Sequence, residues 1–197
     1  MRFLSSTAVP ALALLLAQFP AHAQEGPWLI RARAVYLNPA NSDDTGLNLS
    51  INKKVLPELD ITYFITPQWA TELILTYPQK HSIRAGDTSI GSLKHLPPTL
   101  TLQYHFAHES VVRPYVGAGV NYTRMTSVDL PSGVTVKRDS VGPAIQAGFD
   151  VPLSGNVVLN VDVKKVQIKT KVYATGSSLG SFHVDPLLFG VGIGWRF

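Results

Sequence analysis

Cysteine is absent from all 197 residues. No disulfide can staple the chain, so its stability has to come from a sizeable core or a closed hydrogen-bonded ladder. Long apolar runs are missing too. Beyond the N-terminus the most apolar stretch, 186–195, is ten residues long and carries glycine at 190, 192 and 194. A helix crossing a bilayer needs roughly 20 apolar residues, and each glycine would weaken it. Strong charge of one sign is also lacking: the formal net charge of +4 is dispersed along the chain, too weak a balance to point to nucleic acid. Catalytic signatures are equally scarce. No G-x-S-x-G or comparable motif accompanies His81, His95, His105, His108 or His183, and none of these sits at ligand spacing with Asp or Glu. Enzymatic, metal-binding and cofactor-binding roles are therefore not expected. His81, His95 and His183 fall in polar stretches and are expected to be solvated.

The sequence does carry an export signal. Arg2, the apolar stretch 8–19 and Ala21-His22-Ala23 match the charged, hydrophobic and small-x-small parts of a cleaved leader. Residues 1–23 are expected to be removed, leaving 24–197 as one domain.

Within that domain the dominant pattern is alternation with period two, repeated about eight times. The last segment shows it best. Leu187, Phe189, Val191, Ile193, Trp195 and Phe197 share one face, while Gly190, Gly192, Gly194 and Arg196 lie on the other. Similar runs cover 28–37, 59–66, 68–77, 98–106, 113–123, 140–153 and 157–172. In the last of these the apolar set changes phase, from Val157, Leu159, Val161 and Val163 to Val166, Ile168 and Val172. An extra residue at Lys164-Lys165 would restore the phase, so a β-bulge is expected there. Connections alternate as well: short at 66–67, 107–110 and 154–156, long and polar at about 38–55, 78–96, 124–139 and 170–183. Eight strands, three short turns and four long loops are what an up-and-down transmembrane barrel requires, with both termini in the periplasm.

A soluble eight-stranded barrel has the same rhythm, and Gly26-Pro27-Trp28 matches the short G-x-W of lipocalins. The polar faces favour the membrane. Arg31, Arg33, Arg113, Lys164 and Arg196 share their face with Glu58, Asp60, Glu72, Asp150 and Asp162. Charges so nearly balanced can pair inside a lumen, where an unpaired one would cost several kcal/mol, while the apolar face meets lipid. Trp28, Tyr36, Trp69, Tyr77, Phe106, Tyr122, Trp195 and Phe197 lie near strand ends, as the aromatic girdles of a membrane barrel do. Eight strands leave a lumen that side chains can fill, which argues against a wide pore.

Six stretches carry a more specific signal: 56–66 (LPELDITYFIT), 96–106 (LPPTLTLQYHF), 113–123 (RPYVGAGVNYT), 142–150 (GPAIQAGFD), 160–170 (NVDVKKVQIKT) and 184–197 (VDPLLFGVGIGWRF). Together they resemble the OmpW family of outer-membrane proteins, which includes AlkL-type proteins linked to alkane uptake. The chain departs from the pattern in ending Trp-Arg-Phe, where Tyr is usual at the first position, and in a short loop at 124–139. The resemblance implies an eight-stranded antiparallel barrel in the outer membrane of a Gram-negative bacterium. It also implies a narrow passage for small hydrophobic molecules that leave sideways through the wall.

Leu47, Leu49, Ile51, Val55 and Leu56 would extend such a passage above the membrane. Pro57, Pro97-Pro98, Pro143 and Pro186 stand where the wall would open, since proline donates nothing to a ladder; Pro67 and Pro114 show that proline also simply begins strands. The alternative is a barrel with a sealed lumen, serving adhesion, phage or bacteriocin binding, or envelope stress resistance. Expected partners are outer-membrane lipid, lipopolysaccharide phosphates at Lys80, Arg84, Lys94, Arg124, Lys137, Arg138, Lys169 and Lys171, small hydrophobic ligands, and the barrel-assembly machinery at the C-terminal strand.

Overall fold

The computed structural model describes residues 26–107 and 109–197; the leader expected at 1–23 and His108 lie outside the described residues. Period-two alternation produces strands almost throughout. Eight form the wall: β1 (Trp28–Asn38), β4 (Lys54–Phe64), β5 (Trp69–Thr76), β8 (Thr99–His105), β9 (Arg113–Asp129), β11 (Asp139–Ser154), β12 (Val157–Val166) and β15 (Leu187–Arg196). Each pairs antiparallel with its neighbours, and the sheet closes into a barrel where β9 meets β11 and β1 meets β15. Closure leaves no unpaired backbone edge facing lipid, the condition any sheet must meet to span a bilayer.

The alternation also sets the two faces. Leu100, Ile145 and Val191 are 58%, 59% and 55% exposed, whereas Arg31, Asp60 and Glu72 are fully buried. The exterior is therefore apolar and the interior charged, the reverse of a soluble barrel.

The long connections are not loops. They fold into short strands: β2 (Ser42–Asp43), β3 (Leu49–Ile51), β6 (Gln79–Ala85), β7 (Thr88–Leu96), β10 (Val134–Val136), β13 (Lys169–Ala174) and β14 (Ser177–His183). The β6–β7 hairpin joins β3 and the upper half of β9, and β10, β13, β14 and β2 make a second sheet of four. Leu49, Ile51, Ile83, Leu93, Met125, Val172 and Phe182 fill the space between the two sheets. These stretches read as polar because their outward residues, such as Lys80, Arg84, Lys94 and Lys171, are charged and exposed. Their inward residues continue the lumen upward as an apolar one.

This corrects the expected bulge at Lys164-Lys165. The β11–β12 register runs without interruption through Ile145↔Lys165 and Gln146↔Lys164, and its one irregularity lies between Pro152 and Ser154. Asn160, Asp162, Lys164, Val166, Ile168, Thr170 and Val172 all point inward on one unbroken phase. What changes at Lys164 is the medium inside the barrel, from charged below to apolar above.

Candidate functional site

The lumen has three levels. At its base, β1 supplies two arginines one pleat apart. Arg31 grips Asp150 through Nε (3.1 Å) and Nη2 (2.6 Å), and its Nη1 donates to Glu72 at 2.9 Å and Thr62 at 2.8 Å. Arg33 donates to Asp60, to Asn160 at 3.0 Å and to Glu72 at 3.2 Å, and lies 3.2 Å from Glu58 and 3.4 Å from Asp162. Lys164 bridges Glu58 at 2.7 Å and Asp162 at 3.0 Å. Glu72 accepts two further bonds, from Gln103 (2.7 Å) and Gln146 (2.9 Å), and the Tyr115 hydroxyl donates to Asp162 at 3.0 Å. The result is a cross-braced floor joining side chains from β1, β4, β5, β8, β9, β11 and β12.

Of the ten charged residues singled out from the sequence, eight meet in this floor. Arg113 and Arg196 lie nearer the end of the barrel where Gly26 and Phe197 meet, bordering a small cavity with Asp150 and His105. Arg196 sits 4.0 Å over the Phe64 ring and donates to the Gly26 carbonyl at 3.0 Å. Sequence reasoning missed the uncharged members Thr62, Gln103, Tyr115, Gln146 and Asn160. Their signal was available, because each occupies an inward position on its strand.

The small face of the strands makes room for this floor. A Cβ on Gly148 would lie 2.6 Å from both the Tyr115 hydroxyl and the Val161 carbonyl oxygen, and one on Gly192 would lie 2.6 Å from Cγ of Arg33. Gly148→Ala is therefore expected to destabilise the barrel by about 1–3 kcal/mol, the usual range for overpacking. Urea unfolding from lipid vesicles would measure it, and an unchanged midpoint would mean that Tyr115 yields freely.

Above the floor the lining turns apolar. Val35, Leu37, Leu56, Ile74, Val166 and Ile168 surround a cavity of about 20 Å³ whose polar members include Glu58, Lys164, His95, Thr99 and Asn121. That is room for about one water. Higher still, Leu47, Leu49, Ile83, Leu93, Val136, Val172 and Phe182 line a mouth cavity of about 70 Å³. Of the five residues expected along the passage, Leu49, Ile51 and Leu56 are buried inside and Leu47 borders the mouth. Val55 is not inside: it is 61% exposed on the outer face, since it is one pleat out of phase with Leu56. The eight girdle aromatics all point outward, from Tyr122 at 40% exposed to Tyr77 at 70%.

Between the two cavities two histidines stack, correcting the expectation that they are solvated. The His81 and His95 rings lie 4.5 Å apart and nearly parallel, at 8°; His81 is fully buried and His95 is 6% exposed. Strand alternation on β6 and β7 turns them inward along with Ile83 and Leu93. Burial pushes the His95 imidazole down to about 3, reinforced by its neighbour His81, whose own value burial also lowers. An unfolded imidazole takes its proton near 6.5, so between about pH 6.5 and 3 the unfolded state binds more protons than the folded one. The stability of the β6–β7 extension should therefore be fully present above pH 6.5 and fall as the medium is acidified through that window. Amide exchange of β6 and β7, corrected for its intrinsic pH dependence, would show protection falling from pH 7 to pH 4. The loss should be smaller in His95→Phe, and equal loss in both proteins would refute the assignment.

The family model for the OmpW family matches residues 24–197. The chain belongs to the OmpW family. Membership makes it an integral protein of the Gram-negative outer membrane. Among OmpW-like relatives, the outer membrane protein W of Vibrio cholerae is 33% identical, the alignment covering 88% of this chain and 90% of that one. A dibenzothiophene metabolism operon protein of Pseudomonas aeruginosa is 28% identical over 90% of this chain and 92% of its own. The crystal structure of the outer membrane protein OprG from Pseudomonas aeruginosa superposes with a TM-score of 0.75 at 28% identity, covering 88% of this chain and 97% of that one.

Proposed function

We propose that this barrel is a passive conduit, without catalysis, for small hydrophobic molecules, which enter at the apolar mouth and leave sideways into the membrane. The observation that carries the reading is the change of lining: an apolar lumen runs from the mouth to the level of Val35 and Val166, then ends on a salt-bridged floor. A hydrophobic solute gains by entering the upper half and cannot gain by displacing paired charges below. The operon in which the Pseudomonas relative is named fits a role with apolar aromatic compounds.

The upper end of β12 offers the exit. On one side the Gln167 amide donates to Pro143 O at 3.0 Å, and on the other the Val166 amide donates to Pro186 O at 3.2 Å. Neither proline has an N–H to return, so both seams are held by one-way bonds. Val166 lines the inner cavity and also an open groove on the outer surface with Pro143, Ala144 and Gln167. Only that thin layer separates lumen from lipid.

The braced floor and the narrow inner cavity favour a second reading, a sealed barrel with a receptor, adhesion or stress-resistance role. Uptake of naphthalene by cells with and without the protein separates the two. Faster entry with the protein supports the conduit, and equal entry at matched expression removes it. Two partners belong to either reading. Outward-pointing Lys80, Arg84, Lys94, Lys169 and Lys171 suit lipopolysaccharide phosphates, and the aromatic-ended strand β15 suits the barrel-assembly machinery.

A further inference from the structure

Between its mouth and its inner cavity the largely apolar passage carries two polar rings. His81 and His95 stand between the mouth cavity, which Ile83 and Leu93 line, and the inner cavity, which His95 itself lines. Among the described residues neither ring nitrogen of His81 has a hydrogen-bond partner, although the side chain is fully buried. The Asn52 carbonyl lies close enough to favour the protonated ring, but not in hydrogen-bond geometry. A polar ring left unpartnered in an apolar core is destabilising, and leucine or phenylalanine would pack there without that cost. Just below the pair, Thr99 and Asn121 bring hydroxyl and amide groups to the wall of the inner cavity.

We propose that the His81–His95 pair is a polar way-station that receives the hydroxyl of an otherwise apolar molecule, so that the favoured cargo is a monohydroxylated aromatic or aliphatic compound over the corresponding hydrocarbon. The inference rests on the conduit reading above. A neutral imidazole presents one N–H donor and one bare nitrogen acceptor, and a hydroxyl donates once and accepts. An alcohol or phenol passing the station satisfies nitrogens that a hydrocarbon leaves bare, while its apolar body remains among Ile83, Leu93 and Met125. Sites built to hydrogen-bond a hydroxyl discriminate far more strongly against analogues lacking it than apolar pockets discriminate against an added one. Water gives no equal substitute, since a hydrocarbon must displace it without replacing its bonds. Burial disfavours the protonated form of both rings, which keeps an acceptor nitrogen available for the hydroxyl.

The test compares initial uptake of naphthalene and 1-naphthol by cells producing the native protein, the His81→Leu/His95→Leu variant, or neither. With the native protein, the protein-dependent rate is expected to favour 1-naphthol by about tenfold, the scale of one net hydrogen bond. The double variant should lose that preference. A preference that survives in the variant, or none in the native protein, overturns the way-station and leaves the conduit standing. Rates for both probes that match cells lacking the protein overturn the conduit, and the way-station with it. Should the variant fail to fold, imidazole nitrogen resonances of the native barrel in lipid nanodiscs decide the matter. 1-Naphthol should shift the His81 and His95 signals and naphthalene should not; equal shifts, or none, refute the proposal.

Discussion

Glu72→Ala is expected to lower the stability of the barrel by about 3–5 kcal/mol, the cost of removing one partner from a buried ionic cluster. Glu72 is where the two halves of the floor meet. One carboxylate oxygen accepts from Arg31 and Arg33, and the other accepts from Gln103 and Gln146. Alanine would leave both arginines short of negative charge and both amides short of an acceptor, with no route to water from a fully buried position. Reversible urea unfolding in vesicles would report the loss as a fall in midpoint. Leu73→Ala, one pleat away on the lipid face, offers the comparison, because it removes apolar area and leaves the charges untouched. A Glu72→Ala effect below that of Leu73→Ala would mean that water or a shifted side chain replaces the carboxylate, and that pairing does not hold the floor.

The second large effect concerns the wall. The Gln167–Pro143 bond makes those two residues a hydrogen-bonded pair, so their neighbours Ala144 and Val166, which are in register, form the closer, non-bonded kind. Such pairs bring Cβ atoms within disulfide range. With no native cysteine to interfere, Ala144→Cys/Val166→Cys should cross-link on oxidation and pin β12 to β11 beside the proposed exit. Uptake of an apolar probe is expected to drop by about tenfold in the oxidised protein and to recover on reduction, as gating that costs roughly 1.4 kcal/mol implies. Undiminished uptake in fully oxidised protein would place the exit elsewhere, with the Pro97-Pro98 seam the next candidate.

The strands, their faces and the barrel's orientation were legible because a period of two and a near-balance of charge are properties of the chain itself. The charged floor was legible for the same reason: every residue in it sits on the inward phase of a long run. Two features were not. The apparent phase change at Lys164 looked like an inserted residue, because a rule that takes inward positions as polar cannot see a lumen whose chemistry changes with height. Val166 and Ile168 belong to the same face as Asp162, and only the opposing sheets, with Leu49 and Phe182, explain why that face becomes apolar. The burial of His81 and His95 was hidden similarly. Their segments carry Lys80, Ser82, Arg84 and Lys94, which mimic a solvated loop until the hairpin is seen to close over a core.

The braced floor also has a meaning for the cell that carries it. Arg31, Arg33 and Lys164 are each locked among carboxylates at one level of the barrel, so an ion crossing that level would have to break those pairs. A conduit built on such a floor would be an electrical insulator whose upper half suits oily solutes. On the conduit reading, a bacterium that crowds its surface with such barrels would keep its ionic and osmotic barriers intact, and hydrophilic antibiotics would find no easier entry however many copies it made.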